Sequence, residues 1–229
     1  MKFDIVKYEG WNLLHVEDLP ILRAFNKKAG EAKFAIRPDL LPEPFIGIPD
    51  TAKVLFLALN PGYKGPEDDW HSREEFRKLI IDNSKFRSMD YPYYYLNEAP
   101  SFRGSPGHIW HKRILSELIN AFSAQILSKN ICCIQFHGYH STRYKPLGEI
   151  LPSQRRSFEL VKSVMKRNIP IVLMRSRNIW FDAISDLKTY PSIIILNNYR
   201  SPTVSKGNMS ESDYGKIMMH LATTSTTHI

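Results

Sequence analysis

Four short apolar runs are spaced along the chain, and polar or turn-forming residues follow each of them. The runs cover residues 54–59, 131–136, 169–174 and 192–197. A short apolar run that ends abruptly at turn residues is typical of a strand buried on both faces, as in a parallel sheet. Segments with helical character separate the runs. This alternation predicts an α/β fold of three layers, with a four-stranded parallel sheet between two layers of helices.

Helices are predicted between and around these strands. They are expected over residues 17–28, 72–86, 107–127, 152–166, from about residue 180, and over 210–221. Ser72 is expected to cap the second helix, with Glu74 and Glu75 in its first turn. An apolar face of the third helix is expected from Ile109, Leu115, Leu118, Ile119 and Phe122.

A tyrosine-rich loop, residues 90–107, allows two interpretations. Four tyrosines lie within five positions, at 91 and 93–95. They could form a packed cover over the core, or their ring faces could stack on nucleic-acid bases. The sequence leaves both interpretations open.

The length of 229 residues suits one domain with a full core, so residues 1–229 are expected to form a single unit. Residues 1–50 are interpreted as an N-terminal extension that packs on this core. Part of it, AIRPDLLPEPFIGIPD, contains four prolines and is expected to cross the edge of the sheet.

The composition limits the class of protein. No apolar run approaches the roughly 20 residues that a membrane helix needs, and the N-terminus lacks an apolar signal core. The only cysteines, Cys132 and Cys133, are neighbours on a predicted strand, where they point to opposite faces and do not bridge. We expect a cytoplasmic protein without membrane contact. An iron–sulfur cluster is excluded, because it needs four thiolates.

The net charge of +8, from 31 Lys+Arg against 23 Asp+Glu, suits an anionic partner, with nucleic acid first among the candidates. Several cations follow predicted strands, where they could form a rim that contacts phosphates. The alternative is an ordinary solvated face. These cations are Arg143, Lys145, Arg175, Arg177, Arg200 and Lys206.

The first strand ends at Asn60, Pro61 and Gly62. Pro61 excludes helical geometry at Asn60, and Gly62 permits a backbone that larger residues resist. Open α/β sheets bind ligands at the carboxyl ends of their strands, so Asn60 marks a candidate site. Asp68 and Asp69 follow closely enough to act as a base, although solvated turn residues of this kind are common. A plain turn is the alternative interpretation of Asn-Pro-Gly.

Two motifs, LNPGY at 59–63 and NNYRSPTVS at 197–205, resemble a pair found in the uracil-DNA glycosylase superfamily. Its members carry GQDPYH, GINPG or GMNPG after the first strand of a four-stranded parallel sheet, and HPSPLS or NPSGLS after the last. The resemblance covers about residues 50–220. It implies a monofunctional DNA glycosylase that needs no cofactor, while the cysteine count excludes the iron–sulfur branches.

The resemblance assigns roles to residues of both motifs. Asn60 stands where the superfamily has an Asp or Asn that positions the hydrolytic water. Gly62 stands where the strict uracil enzymes have a tyrosine that blocks substituents at the pyrimidine C5. Ser201 and Pro202 match the Ser-Pro that pinches the DNA backbone, and Thr203 or Val204 matches the residue that wedges into the base stack.

The second motif departs from the family pattern. Tyr199 holds the position of its His or Asn, with Asn198 before it and Arg200 after it, which leaves open which group stabilises the departing base. On the second strand, the residue that reads the base edge would be Gln135 or His137. His137 and His140 have an HxxH spacing without an evident third ligand, so no metal is predicted.

The resulting prediction is a monomeric enzyme that flips a non-canonical pyrimidine out of DNA and hydrolyses its N-glycosidic bond. The substrate would be uracil or a 5-substituted pyrimidine. A defence glycosylase that removes hypermodified cytosine from phage DNA, and a catalytically silent nucleic-acid or nucleotide binding module, are the alternatives. The predicted catalytic residues are Asn60 and Asn198; the predicted substrate-binding residues are Gly62, Tyr63, Gln135, His137 and Tyr139; and the predicted DNA-binding residues are Arg143, Arg177, Arg200, Ser201, Pro202, Thr203 and Lys206.

Overall fold

The computed structural model of the protein describes residues 16–223. The first 15 residues of the predicted N-terminal extension therefore lie outside the described residues. Five strands form one sheet, in the order β1-β3-β2-β4-β5. The strands are β1 (Phe45–Gly47), β2 (Val54–Ala58), β3 (Ile131–Gln135), β4 (Ile171–Leu173) and β5 (Ile193–Ile195).

The sheet is mixed, which corrects the prediction of a four-stranded parallel sheet. Strands β3, β2, β4 and β5 are parallel neighbours, and they coincide with the four predicted apolar runs. The fifth strand, β1, pairs with β3 in the antiparallel direction and is the outermost strand on that side of the sheet. It comes from the proline-rich segment, whose three-residue strand is too short to give a periodic signal. The predicted α/β class is confirmed.

Nine α-helices are described between residues 16 and 223. They are α1 (Leu19–Lys28), α2 (Glu67–Ser72), α3 (Glu74–Ser84), α4 (Pro106–Ile114), α5 (Ser116–Phe122), α6 (Ala124–Asn130), α7 (Pro152–Met165), α8 (Arg177–Ala183) and α9 (Glu211–Ala222). None of the helices in this part of the chain is long and apolar enough to cross a membrane.

Two helix predictions were wrong in detail. Ser72 does not cap α3: it ends α2, and its hydroxyl donates to the carbonyl of Asp69. The single helix predicted over 107–127 is three helices. The first break lies at Leu115, and the second lies at Ser123, which adopts a φ of +64° and caps α6 through the backbone N–H of Ile126. Ile109, assigned to the apolar face, is exposed.

Helices pack against both faces of the sheet. Successive side chains of a strand point to opposite faces, so each strand contributes to both cores. On β2, Val54 and Phe56 pack with α3, α4, α5, α6 and α9. Leu55 and Leu57 pack with α7 and α8 on the other face. Both cores are apolar and buried, which fixes the sheet between its helices and leaves the carboxyl ends of β2 to β5 at one edge.

The tyrosine-rich loop is a cover over the first of these cores. Tyr93, Tyr94 and Tyr95 are buried in it, and the last two belong to a short 3₁₀-helix, Tyr94–Leu96. Their rings are therefore not available to stack on bases, which decides between the two interpretations of this loop.

Candidate active site at the carboxyl edge of the sheet

Asn60 follows β2 directly and is half-buried. Its amide nitrogen donates to the carbonyl oxygens of Pro61 at 2.9 Å and Tyr139 at 3.2 Å, and to the hydroxyl of Ser141 at 2.9 Å. The amide therefore ties the loop after β2 to the loop after β3. Its Oδ1 atom accepts no hydrogen bond from the described residues 16–223, so the carbonyl end of the amide is held in place and remains available as an acceptor.

Gly62 lies beside Asn60 and is exposed. A Cβ atom added to it would meet no heavy atom within 4 Å, and its φ lies outside the left-handed region. The local backbone therefore does not require glycine here, contrary to the expectation from the sequence. The absence of a side chain instead leaves open space at the surface next to Asn60.

The loop after β3 returns beneath Gly62. Ser141 forms a parallel bridge with Gly62, and the Nδ1–H of His140 donates to the carbonyl oxygen of Gly62 at 2.8 Å. His140 itself is only 2% exposed. The backbone of Gly62 is therefore held in place by a buried imidazole.

His140 belongs to a buried cluster around the carboxylate of Glu43, which precedes β1 and is 1% exposed. The hydroxyls of Tyr94 and Tyr95 donate to this carboxylate, at 2.8 Å and at 2.7 and 2.9 Å. The Nε2 atoms of His140 and His71 lie 3.2 and 3.4 Å from its Oε1. Separate segments of the chain are thus joined through one carboxylate.

The cluster favours an ionised Glu43. Burial opposes ionisation, but the contacts of His140 and His71 outweigh it and lower the pKa of Glu43 well below its ordinary value. Burial also lowers the pKa of His71. For His140 the neighbouring carboxylate outweighs burial and raises the pKa. A negative charge in this position attracts a cation.

Sequence reasoning missed Glu43, His71, Tyr94 and Tyr95 as parts of one cluster. Their sequence separations are large, and no spacing rule connects them. One local signal existed: Glu43 stands between Pro42 and Pro44 in a largely apolar segment, and a buried acid needs a partner.

Tyr63, assigned to substrate binding, lies in a surface network next to the site. Its hydroxyl donates to Asp68 at 2.8 Å, and the guanidinium of Arg37 lies 4.4 Å from its ring centroid. Arg37 also pairs with Asp39 and Asp68. Asp68 is therefore engaged by Arg37 and Tyr63, which makes it a weak candidate for a base.

Gln135 and His137 continue β3 towards the same edge. The backbone N–H of His137 donates to Leu59, so the β2–β3 pairing runs on past Gln135. Both side chains are buried, and within the described chain neither Oε1 of Gln135 nor Nε2 of His137 has a hydrogen-bond partner. Burial lowers the pKa of His137 to about 3, so this ring is neutral. Buried polar atoms without a partner are rare and call for a ligand or water.

Tyr139 lies in the core rather than at the edge. Its hydroxyl donates to Asp18 at 2.6 Å, and Asp18 also accepts from the backbone N–H of Ser153. The contact anchors the start of α1 to the start of α7. The hydroxyl of Tyr139 is thus engaged by the protein itself, away from the role in base binding that the sequence suggested.

The loop after β5 is organised by Asn208. The backbone N–H of Asn198 donates to its Oδ1 at 2.6 Å, and its Nδ2 donates to the carbonyls of Ser201 at 3.2 Å and Thr203 at 2.9 Å. Pro202 is buried, as is Val204, so Val204 is not free to enter a base stack. The loop is therefore a preformed turn rather than an open coil.

Asn198 and its neighbours form the exposed tip of this turn. The Oδ1 atom of Asn198 accepts from the backbone N–H groups of Arg200 and Ser201. Its Nδ2 atom makes no hydrogen bond to the described residues. Tyr199 is 58% exposed, and Arg200 is exposed beside it.

The predicted cationic rim is exposed. In residues 16–223, no ion pair or hydrogen bond engages the guanidinium groups of Arg143, Arg177 and Arg200, which all face solvent. Lys206 differs, because its Nζ pairs with Glu211 at 3.1 Å and its N–H donates to Glu117. β5 lies two strands from β2, so the strands that precede Asn60 and the Asn198 loop are about 10 Å apart at roughly 4.8 Å per strand.

Comparison with protein-family models, curated proteins and solved structures found no match for this chain.

Proposed function

We propose that this protein is a DNA glycosylase that excises a non-canonical pyrimidine. The observation that carries the proposal is the clamped amide of Asn60 at the carboxyl end of β2. Three hydrogen bonds hold its nitrogen, and its oxygen faces no donor in the described chain. Such an oxygen can hold one water in a fixed position without deprotonating it.

The reaction needs a water at C1′ of the target nucleotide. In the proposed step the water oxygen bonds to C1′, the C1′–N bond breaks, its electron pair leaves with the base, and a proton passes from the attacking water to the solvent or the departing base. A neutral amide contributes by positioning the nucleophile. Donors aimed at the charge that develops on the base add about 3 kcal/mol each to transition-state stabilisation.

Asn198 suits the second of these roles. Its carbonyl oxygen is occupied by its own turn, which leaves the amide N–H groups as the available part of the side chain. A departing base carries negative charge and needs donors, so a held amide that offers only N–H groups has the required polarity.

Gln135 and His137 are proposed to read the edge of the flipped base. Both end the strand next to β2, and both carry a buried polar atom without a partner in the described chain. The backbone N–H of Tyr139 donates to Nδ1 of His137, so the neutral ring carries its proton on Nε2. His137 would then donate to a base oxygen, while the Gln135 oxygen would accept from a base N–H.

The surface around this edge suits DNA. Arg143, Arg177 and Arg200 are exposed cations, and Tyr199 presents an exposed aromatic ring on the same edge. Phosphates supply most of the affinity of such a surface, and aromatic rings stack on unpaired bases. The open space at Gly62 suits a pyrimidine with a substituent at C5, which extends the proposed substrates beyond uracil.

The test is an abasic-site assay on single strands and duplexes that carry uracil, 5-hydroxymethylcytosine or glucosylated 5-hydroxymethylcytosine. The proposal predicts alkali-labile sites in at least one of these substrates and none in unmodified DNA. Excision restricted to glucosylated cytosine would assign the enzyme to the defence class. DNA binding without any excision would instead identify a binding module and contradict the proposal.

A further inference from the structure

Glu43, His71 and His140 bring one possible ligand atom each to within 4.8 Å of one another. We propose that these three side chains bind a divalent transition-metal ion of the Zn²⁺ type. The sequence predicted no metal, because only the HxxH pair of His137 and His140 was visible in it. In the structure His137 stacks on Tyr144 instead, and His140 joins Glu43 and His71.

The distances from the carboxylate of Glu43 to the two imidazoles match those between ligands of a tetrahedral ion. Zn²⁺ lies about 2.0–2.2 Å from imidazole nitrogen and carboxylate oxygen, so two of its tetrahedral ligands are about 3.3 Å apart. The Nε2 atom of His140 lies 3.2 Å from Oε1 of Glu43, and that of His71 lies 3.4 Å from the same oxygen. Both separations fit a shared ion, and the ligand atoms of the two imidazoles lie within 4.8 Å of each other.

The hydrogen-bonding pattern of His140 directs its Nε2 atom at the carboxylate of Glu43. Its Nδ1 must carry a proton, because Gly62 offers only a carbonyl oxygen to it. In the neutral ring, Nε2 then holds a lone pair that faces the carboxylate of Glu43, another acceptor. Although 3.2 Å separates the two atoms, they make no hydrogen bond. Either a proton on Nε2 or a metal ion bound by both atoms removes this repulsion, and the zinc titration below distinguishes the two.

The surrounding contacts are those that orient metal ligands. A ligating imidazole commonly donates its other N–H to a carbonyl, as His140 does to Gly62, and a ligating carboxylate is itself hydrogen-bonded, as Glu43 is by Tyr94 and Tyr95. Two imidazoles and a carboxylate suit Zn²⁺ better than Mg²⁺ or Ca²⁺.

The burial of the three ligands assigns the ion a structural role. Glu43, His71 and His140 are at most 7% exposed, and the carboxylate of Glu43 already accepts from the hydroxyls of Tyr94 and Tyr95. The ion would join the segment before β1, the end of α2 and the loop after β3. This last loop carries Ser141, whose hydroxyl accepts a hydrogen bond from the amide of Asn60. The ion would therefore restrict the motion of the loop that supports the candidate site. The proposal does not depend on the reaction that the site performs.

The first experiment measures zinc binding to the wild-type chain, purified without a polyhistidine tag and stripped with a chelator. Titration calorimetry with Zn²⁺ should give one ion per chain, and elemental analysis after dialysis should recover it. Binding of Zn²⁺ should raise the thermal unfolding midpoint, and the chelator should reverse the rise. X-ray absorption of the zinc complex should report two imidazole nitrogens and no sulfur.

Variants then assign the site. His140→Gln and His71→Asn should each weaken Zn²⁺ binding by more than the roughly 10- to 100-fold that follows loss of a group hydrogen-bonded to a ligand. His108→Gln is the matched control, because His108 is equally buried but lies outside the cluster, and it should bind as wild type does. A wild-type chain that binds no zinc, a sulfur-coordinated ion, or unchanged affinity in both cluster variants would overturn the proposal.

Discussion

The Nδ1–H of His140 donates to the carbonyl oxygen of Gly62 at 2.8 Å, and this bond joins the buried carboxylate cluster to the loop of the candidate site. On one side of the bond lie Glu43 and His71, which are buried. On the other side lies the open surface at Gly62, next to Asn60. The backbone of Gly62 is therefore in direct contact with the cluster, while a Cβ placed at Gly62 would meet no heavy atom within 4 Å.

The open space at Gly62 predicts the choice of substrate. Gly62→Tyr should abolish excision of 5-substituted pyrimidines and spare excision of uracil, because a ring would fill the space beside C5. A Cβ here meets no heavy atom within 4 Å, so the free energy of unfolding should change by less than about 0.5 kcal/mol. Excision rates on matched uracil and 5-hydroxymethyluracil duplexes measure the effect. If the variant still excises both bases equally, the space is not the C5 pocket.

The exposed arginines predict a strong dependence of DNA affinity on salt. Replacing Arg143, Arg177 or Arg200 by Gln should reduce the slope of log affinity against log salt by about 0.9 for each phosphate that the variant no longer neutralises. Fluorescence anisotropy over a range of salt concentrations gives the slope. Arg73→Gln is the control, because Arg73 is already paired with Asp69. Equal slopes for wild type and the three variants would locate the DNA surface elsewhere.

Tyr199 is predicted to stack on a base. Tyr199→Ala should weaken DNA binding by about 1–3 kcal/mol, the typical contribution of one base–aromatic stack, and Tyr199→Phe should bind as wild type does. Stability should not change, because the ring is 58% exposed. Met219→Ala is the control: Met219 is equally exposed, but α9 ends beside Lys53, at the opposite edge of the sheet. Equal affinity of all three variants would exclude a contact at Tyr199.

The sequence predicted the parallel part of the sheet well, because β2 to β5 form continuous apolar runs. It failed where a signal was short or local. The strand Phe45–Gly47 has only three residues, and the break at Ser123 depends on one capping side chain. Burial of Tyr93 to Tyr95 was one of two open interpretations, since composition does not say which way an aromatic ring points.

The candidate site was only partly accessible to sequence reasoning. Strand-end reasoning indicated Asn60, because open α/β sheets bind ligands at the carboxyl ends of their strands, and the resemblance to a known family indicated Gln135 and His137. The cluster of Glu43, His71 and His140 was missed, since its members are brought together by tertiary contacts alone. Asn208 was missed for a similar reason. Its side chain bonds to backbone groups of the preceding loop, and nothing in the sequence distinguishes it from any other Asn.

Asn208 is predicted to hold the loop after β5 in its active shape. Asn208→Ala removes bonds to Asn198, Ser201 and Thr203 and leaves their backbone groups unpaired, so it should lower the free energy of unfolding by about 1–3 kcal/mol. Urea unfolding measures the loss. Asn197→Ala, at an exposed position next to the same loop, should change stability by less than about 0.5 kcal/mol. Equal stability of both variants would contradict the assigned role.

The central claim is that Asn60 supports base release rather than DNA binding, and single-turnover excision by Asn60→Ala tests it most directly. The measurement compares wild type, Asn60→Ala and the control Asn197→Ala on one substrate, with DNA affinity and thermal stability measured in parallel. We predict that Asn60→Ala binds DNA nearly as wild type does but excises the base at least about 100-fold more slowly, as expected when an interaction specific to the transition state is removed. Near-normal excision by a folded Asn60→Ala variant would contradict the claim.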